Sequence, residues 1–268
     1  MNALRLQLAF LQRDWRYETS YRGMLALQLL GIVGTLVIFY SIGKLVGNDA
    51  ESLREYGGEY FPFALIGLVV SDFFNTGLRS FSSRLRLAQT TGTLEAMFTT
   101  AAPSRYILMC SGTWDYLIAT ARLVISALIG VLFMGVDFEV DLLAAAVIGA
   151  LSLLTFTALG LLAAALILVI KRGDAVAVLG NIAASIFAGA LFPIALLPVW
   201  LRWAAYVLPL HYSLDGLRRA LLAGEGVADL GLNIAVLAAS AAVLVPLSLY
   251  ALDRAADYVR ADGSLGMH

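Results

Sequence analysis

The chain has 268 residues, of which 60% are hydrophobic and only 14% are charged. A typical soluble domain carries about 25% charged residues, so this chain has too little charge to cover a water-facing surface, and its mean hydropathy of +0.85 places it in lipid. Its 18 basic and 19 acidic side chains leave no basic excess for binding nucleic acid.

The residue types that most often carry chemistry are scarce. Cys110 is the only cysteine, and His211 and His268 are the only histidines. This composition excludes an intramolecular disulfide and disfavours the usual zinc sites and Cys/His nucleophiles. The sequence also lacks the GxxxxGK[ST], HExxH and GxSxG motifs. We therefore expect no catalytic, cofactor-binding or metal-binding residue on this chain, and we expect that it is not itself an enzyme.

Residues 1–23 predict an amphipathic helix that precedes the first membrane span. Leu4, Leu8, Leu11 and Trp15 recur at helical spacing, while arginines occupy the other faces. This pattern is typical of a helix that lies in the headgroup region with Trp15 at the interface. Such a helix either orients the first span as an anchor or offers a docking surface to a cytoplasmic partner.

Six later segments are long and apolar enough to cross a bilayer as helices, which takes about 20 residues. They are residues 24–43, 60–78, 107–135, 142–170, 175–201 and 231–252. Their polarity does not alternate, which argues against a barrel. The prediction is an all-α membrane protein with a six-helix transmembrane domain at 24–252 and a cytoplasmic C-terminal tail at 253–268.

The distribution of charge predicts the orientation of these spans. An even number of spans puts both termini on one side, and that side carries twelve basic and seven acidic residues. The opposite side carries five basic and ten acidic residues. By the positive-inside rule, both termini are cytoplasmic. We expect a multi-pass protein of the cell (inner) membrane.

The predicted cytoplasmic loop at 79–106 contains a short amphipathic pattern. Gly92 or Thr93 can cap a helix whose first turn holds Glu95, and the pattern ends at Pro103. Three apolar residues then share one face of this helix: Leu94, Met97 and Phe98. An apolar face outside the bilayer needs a cover. The helix either folds back under the bundle or is presented to a partner protein.

Three charges fall inside the predicted spans, where a charge is costly and a functional candidate. Asp72 lies 12 positions from the outer end of the second span, and Arg122 lies 13 positions from the outer end of the third. At about 1.5 Å per residue these depths agree. We therefore expect Asp72 and Arg122 to pair and to fix the packing of the two spans, with contact to substrate as the alternative role. Asp115 is an alternative partner for Arg122.

The predicted outer segment from residue 192 to residue 226 is irregular. Pro193, Pro198 and Pro209 interrupt helix continuation, and Trp200, Trp203 and Tyr206 lie among them. Broken helix at membrane depth requires protein or a water-filled cavity around it. We expect two short re-entrant helices that form a lid over the bundle. The alternative is a capped surface loop with interfacial aromatic residues.

In this order, these segments resemble the permease subunit of ATP-binding-cassette exporters of the ABC-2 type. The matching residues are the Gly92 to Glu95 run with Pro103, and a second set after the fifth span: Phe192, Pro193, Leu197 to Leu201, Pro209 to Tyr212, Asp215, Leu217 and Arg218. The resemblance implies an N-terminal elbow helix, six spans, and external re-entrant helices between spans five and six. It also implies docking on two copies of a nucleotide-binding ATPase and pairing with a second permease chain, as a homodimer or with a sister chain.

The resemblance also implies roles for particular residues. ATPase docking is assigned to Gly92, Thr93, Leu94, Glu95, Met97 and Phe98, and an external gate to Pro193, Pro198, Trp200, Pro209, Tyr212 and Arg218. ATP and Mg²⁺ belong to the partner subunit. The implied function is export of an amphipathic or lipid-like substrate, such as a drug, lipid or lipid-linked glycan, by ATP-driven alternating access.

One rival class is an ion-gradient-driven secondary transporter. It predicts similar halves with paired broken helices and titratable groups at the midplane. We find no repeat between the two halves of the chain, and the spans of the second half carry no charge. A membrane scaffold that transports nothing is a further alternative.

Overall fold

The computed structural model describes residues 3–20, 22–46, 51–92, 104–170 and 188–261. Within these ranges the regular structure is entirely helical, which confirms the predicted all-α class. The α-helices are α1 (Ala3–Ser20), α2 (Arg22–Val46), α3 (Tyr60–Thr90), α4 (Ser104–Met134), α5 (Leu142–Ile170), α6 (Val199–Val207), α7 (Pro209–Leu222) and α8 (Gly231–Ala261). Two 3₁₀ helices lie at Glu51–Tyr56 and Ile194–Leu196.

Helices α2, α3, α4, α5 and α8 are the five in the described part that are long and apolar enough to cross a membrane. They coincide with the predicted spans one to four and six. Helix α3 runs 12 residues past the predicted end of its span at residue 78, so Arg79 and Arg84 lie on the helix. The prediction of a loop starting at residue 79 was therefore wrong. The last helix likewise continues beyond residue 252, to Ala261.

The fifth predicted span, 175–201, is only partly described. Residues 175–187 lie outside the described ranges. A span in this segment, and with it the total of six spans, therefore stays a prediction. From residue 188 onward the backbone turns irregularly until α6 begins at Val199, so no helix continues to residue 201 as predicted. Pro193 and Pro198 explain the break, because a proline inside a helix removes a hydrogen bond and clashes with the preceding turn.

Local signals fix where α4 ends and α5 begins. Gly135 has a φ of +68°, a conformation that favours glycine, and Val136 donates from its backbone N–H to the Gly130 carbonyl at 3.1 Å. Asp141 then caps α5, because its Oδ1 accepts the backbone N–H of Ala144 at 2.8 Å. The chain thus reverses direction within a few residues.

Helices α3 and α5 form the centre of the bundle. Helix α3 packs against α4 on one side and α5 on the other, and α5 packs along α8. The crossing of α3 and α5 is close, because a Cβ atom added at Gly160 would lie 1.8 Å from the Gly77 carbonyl oxygen. Phe74 and Phe156 meet edge to face beside this crossing, with centroids 5.1 Å apart. Small residues here allow backbone contact, as is typical of membrane helix interfaces.

The bundle has two distinct ends. Helix α1 lies against α4 at the end where α3 finishes and α4 starts, which we call the α1 end. Helix α7 packs against α3, α5 and α8 at the opposite end, which we call the α7 end. Helix α2 stands outside this core and contacts α3 and α4, so most of its apolar side chains face outward.

Candidate functional site

The structure brings Asp72 of α3 and Arg122 of α4 together. Arg122 donates from Nε to Oδ2 of Asp72 at 2.9 Å, and its Nη2 lies 3.4 Å from Oγ1 of Thr76. Although both residues are near the middle of their helices, their side chains remain 40% and 29% exposed. The pair therefore joins α3 to α4 while still facing open space.

That open space is a polar groove formed by two adjoining cavities of about 610 and 370 Å³. Helices α1, α2, α3 and α4 contribute its walls, and Asp72, Asn75 and Arg122 line both cavities. A stripe of polar side chains on α3 follows the groove at helical spacing: Asp72, Asn75, Thr76, Arg79, Ser80, Ser83 and Arg84. The groove thus extends from the α1 end to the middle of the helices.

Three side chains of the groove wall hold buried polar atoms that lack a hydrogen-bond partner within the described ranges. They are Oγ of Ser71, Oδ1 of Asn75 and Oγ of Ser80. An unpaired buried polar atom costs about 1–3 kcal/mol. Each side chain can therefore turn toward a molecule in the groove without giving up a hydrogen bond.

Asp115 does not take the alternative role of partner to Arg122. It pairs instead with Arg84, whose Nη2 lies 2.5 Å from Oδ1 and whose Nε lies 3.2 Å from Oδ2. Nη1 of Arg84 also lies 3.5 Å from Oδ1 of Asp14 on α1. Arg84 thus links three helices, and sequence reasoning missed it because Arg84 was assigned to a loop.

Helix α1 forms where it was predicted, but its contact with the bundle uses a different side. Asp14 is buried, whereas Leu8 and Trp15 of the predicted apolar stripe are more than half exposed. Trp15 still meets Trp114 of α4 edge to face, with ring centroids 5.9 Å apart. The ion pair of Asp14 with Arg84 gives the physical reason for this rotation.

A cavity outside the groove, which we call the apolar cavity, lies between α3, α4, α5 and α7 and has a volume of about 400 Å³. Its hydroxyl-bearing lining residues all have partners. Ser152 donates to Ser213 at 2.6 Å, and Thr120 donates to the Tyr116 carbonyl at 2.8 Å. The remaining walls are aliphatic and aromatic apart from Gly149, so the cavity suits a hydrocarbon.

The residues predicted for the external gate all lie at the α7 end. Pro193 and Pro198 flank the 3₁₀ helix Ile194–Leu196, and Pro209 is the first residue of α7. Trp200 on α6 is 72% exposed. Tyr212 packs against the cluster formed by α5, α7 and α8. These residues therefore form one connected cap on the bundle.

Arg218 is the anchor of this cap. It is buried and donates to three backbone carbonyls, those of Phe63 at 3.2 Å, Gly189 at 2.9 Å and Ala190 at 2.6 Å. Its guanidinium also lies 3.4 Å from the centroid of the Phe63 ring. Burial lowers the pKa of Arg218 to about 9, so the side chain stays charged at neutral pH. Arg218 therefore ties the segment after residue 187 to the start of α3.

Asp215 extends this anchor to its neighbours. It accepts hydrogen bonds from Tyr56 at 2.6 Å and from Asn233 of α8 at 2.9 Å. Arg219 lies 3.8 Å from Asp215 and pairs with Glu225 at 2.5 Å, and the hydrogen bond to Glu225 raises the pKa of Arg219. The contacts of Asp215 were not predicted from sequence, since Tyr56 and Asn233 lie in distant segments.

The predicted ATPase-docking residues are described only at Gly92. Gly92 is exposed, has a φ of +67° and lies two residues after Thr90, the last residue of α3, so it occupies the usual place of a glycine that ends a helix. Residues 93–98, with Thr93, Leu94, Glu95, Met97 and Phe98, lie outside the described ranges. In the part of the chain that is described, no group of three or more His, Cys, Asp or Glu side chains is arranged to hold a metal ion.

Comparison with known proteins assigns the chain to a family. The family model described as ABC-2 type transporter matches residues 7–222. Two proteins, from Escherichia coli strain K12 and Escherichia coli O157:H7, each named "Probable multidrug ABC transporter permease YbhS", are 28% identical to the chain over 158 residues. Each match covers 59% of this chain and 42% of the relative, so it spans less than half of the relative's length.

Proposed function

The chain belongs to the ABC-2 type transporter family, and from that premise we propose that it is the permease subunit of an exporter driven by a separate ATPase. The substrate we propose is amphipathic or lipid-like, as a drug, a lipid or a lipid-linked glycan is. The observation that carries the proposal is the family match over residues 7–222, which includes both segments with sharp sequence similarity. The name of the relatives, which refers to multidrug transport, is in keeping with such a substrate.

We assign the α1 end of the bundle to the cytoplasm, with both termini there, in the inner membrane of the cell. The excess of basic residues predicted for that side supports the orientation. The groove then opens toward the cytoplasm and ends near the middle of the membrane at Asp72 and Arg122. An inward-facing route of this kind accepts an amphipathic molecule from the cytoplasm or from the inner leaflet.

The connection between α3 and α4 is the proposed docking segment for the ATPase. Helix α3 ends at Thr90 and α4 starts at Ser104, so the segment that holds Leu94 and Phe98 joins the two helices that carry the polar groove. A push on this segment acts directly on both walls of the groove. Two ATPase copies, binding ATP and Mg²⁺, and two permease chains complete the proposed assembly.

The cap of α6 and α7 is the proposed external gate, entering the outer leaflet as re-entrant helices. The exposed aromatic residue Trp200 supports contact with the membrane interface. The hydrogen bonds of Arg218 link the cap to the start of α3. In this proposal, movement of α3 driven by ATP at the α1 end reaches the gate at the opposite end through that link.

The experiment that tests the proposal is co-purification with the ATPase in mild detergent. The double variant L94D/F98D adds two charges to the proposed docking face, and we expect it to lose the ATPase. The control L45D/V46D adds the same charges at the other end of the bundle, where Leu45 and Val46 are exposed, and should retain the ATPase. Retention of the ATPase by L94D/F98D would remove the docking assignment.

A further inference from the structure

The polar groove and the apolar cavity meet at two residues. Val69 of α3 and Leu123 of α4 line both the groove and the apolar cavity. Val69 lies one helical turn before Asp72, and Leu123 directly follows Arg122. The Asp72–Arg122 pair therefore stands beside the boundary that a polar space shares with a hydrocarbon-like space.

We propose that a single chain binds one amphiphile across α3 and α4, with its polar head in the groove and its alkyl chain in the apolar cavity. The inference deepens the proposed function, on which it rests, by locating a substrate site within one protomer. The alkyl chain enters between Val69 and Leu123. The head remains beside Arg122, Asn75 and Ser71.

The polar lining of the groove selects the chemistry of the head. Three carboxylate residues line the groove, Glu18, Asp72 and Asp115, and they match its three arginines, Arg79, Arg84 and Arg122. Asp72 pairs with Arg122 and Asp115 with Arg84, and the remaining Glu18 and Arg79 carry opposite charges, so the groove has no net charge to attract an ionic head. A charged head of either sign therefore gains little electrostatic attraction from the groove.

A ligand head that carries hydroxyl groups fits the remaining lining of the groove better than a charged head does. The Ser71 hydroxyl and the Asn75 amide both donate and accept hydrogen bonds, and each has an atom without a partner in the described part of the chain. The guanidinium of Arg122 has five donors, of which the structure uses Nε toward Asp72 and Nη2 toward Thr76. The favoured ligand is an uncharged, hydroxyl-rich amphiphile with one alkyl chain, such as an alkyl glycoside or a monoacylglycerol.

The apolar cavity supplies the second half of the site. Its volume of about 400 Å³ falls within the range of roughly 300–1,000 Å³ found for ligand pockets. Phe73 and Phe156 line it, and Ser152 and Ser213 satisfy each other. An alkyl chain therefore replaces no hydrogen bond when it enters.

Photolabelling of the permease–ATPase complex in lipid nanodiscs, without nucleotide, tests the site directly. The probe is dodecyl glucoside with a diazirine at the end of the alkyl chain, mapped by mass spectrometry. We expect labelled peptides to contain Phe73 or Phe156. Unlabelled dodecyl glucoside should compete, and dodecyl sulfate and dodecyltrimethylammonium should compete about tenfold less well. Labelling spread over the outward faces of the helices, or equal competition by all three, would overturn the proposal.

Variants separate the two halves of the site. Gly149 lines the apolar cavity, and a Cβ atom added there meets nothing within 4 Å, so G149F fills the cavity without a clash at its Cβ. L123W places a bulky side chain of α4 between the groove and the apolar cavity, where the alkyl chain would enter. Both variants should lower labelling about tenfold, and N75L in the groove should weaken competition by dodecyl glucoside about fivefold. Unchanged labelling in G149F and L123W contradicts the site.

The matched control is V124W, which places the same bulk on the next residue of α4. Val124 is 46% exposed, and it lines neither the groove nor the apolar cavity. V124W should label like the unchanged chain, and an equal loss in V124W would overturn the assignment. Retained melting temperatures of all four variants establish that folding is intact.

One further measurement distinguishes two possible sources of the amphiphile, the exported molecule and a resident bilayer lipid. Release of the bound probe on addition of ATP and Mg²⁺ identifies the site as one for the exported molecule, and retention through turnover identifies a resident bilayer lipid. Release supports the substrate site proposed here, whereas retention contradicts its role in export and leaves only the binding of an amphiphile. Because labelling requires no transport, a labelled complex that fails to export contradicts the proposed function alone, whereas export without labelling at this site contradicts the inference alone.

Discussion

Arg84 of α3 binds both carboxylate oxygens of Asp115 of α4, with Nη2 to Oδ1 at 2.5 Å and Nε to Oδ2 at 3.2 Å. Paired contacts of this kind are among the stronger and more directional ion pairs. The same guanidinium approaches Asp14 on α1. The N-terminal helix is thereby attached to the two helices on either side of the proposed docking segment.

R84M should therefore loosen α1 and destabilise the bundle by about 2 kcal/mol, because Asp14 and Asp115 are left poorly paired in a partly buried place. Hydrogen exchange of the α1 amides and thermal unfolding measure the two effects. R13M is the matched control, since Arg13 also contacts Asp14 but its side chain is 47% exposed. Equal loosening in both variants would contradict the linking role of Arg84.

The close crossing of α3 and α5 makes a sharp prediction for two glycines on the same helix. G160A should destabilise the protein by about 3 kcal/mol, because its Cβ would lie 1.8 Å from the Gly77 carbonyl oxygen. G149A has open space around its Cβ and should be neutral or stabilising by up to about 1 kcal/mol, since alanine favours helix over glycine. Thermal unfolding in detergent compares them; similar losses would contradict the crossing.

Replacement of Arg218 should weaken the cap at the α7 end. R218M leaves three carbonyls without their donor and should cost at least about 2 kcal/mol. R218K should fall between R218M and the unchanged chain, because an ammonium group keeps the charge but loses the planar fork. R219M, whose side chain is 30% exposed, should cost about 1 kcal/mol or less. Melting temperatures in the order R218M, R218K, R219M from lowest to highest support the anchor; a different order argues against it.

The Asp72–Arg122 pair should behave as a coupled unit. D72N or R122M alone leaves an uncompensated charge on the wall of a groove where both side chains are only partly buried, and should cost about 1–3 kcal/mol. The double variant D72N/R122M should be less destabilised than either single variant, because an unpaired charge is worse than none. A double-mutant cycle on thermal unfolding measures the coupling. Additive losses would mean that the two residues do not interact.

Much of the bundle could be predicted because hydrophobic length is a strong signal. The fourth span was predicted at the bounds that α5 has in the structure, Leu142–Ile170. The depths of Asp72 and Arg122 could be compared by counting residues, and the two side chains meet at 2.9 Å. Both inferences depend only on helix rise and bilayer thickness.

Other features escaped prediction because they depend on tertiary partners or on a signal that was read too narrowly. The α3 stripe of Asp72, Thr76, Ser80 and Arg84 keeps helical spacing beyond residue 78, and that period could have extended the helix to include Arg84. No local pattern links Tyr56 or Asn233 to Asp215, since these residues are brought together only by packing. The absence of a continuous helix from residue 188 to residue 201 was missed because the hydropathy signal was followed through Pro193 and Pro198.

Our proposal requires that ATP hydrolysis on a separate subunit drives movement of solute through this chain. Vesicles are reconstituted with this chain alone, or with the chain and the ATPase that purifies with it, and uptake of a fluorescent amphiphile is followed. We predict movement only when the ATPase and ATP with Mg²⁺ are both present, and none from a proton or sodium gradient. Movement by the chain alone along such a gradient, without nucleotide hydrolysis, would show that no ATPase is needed and favour an ion-driven transporter.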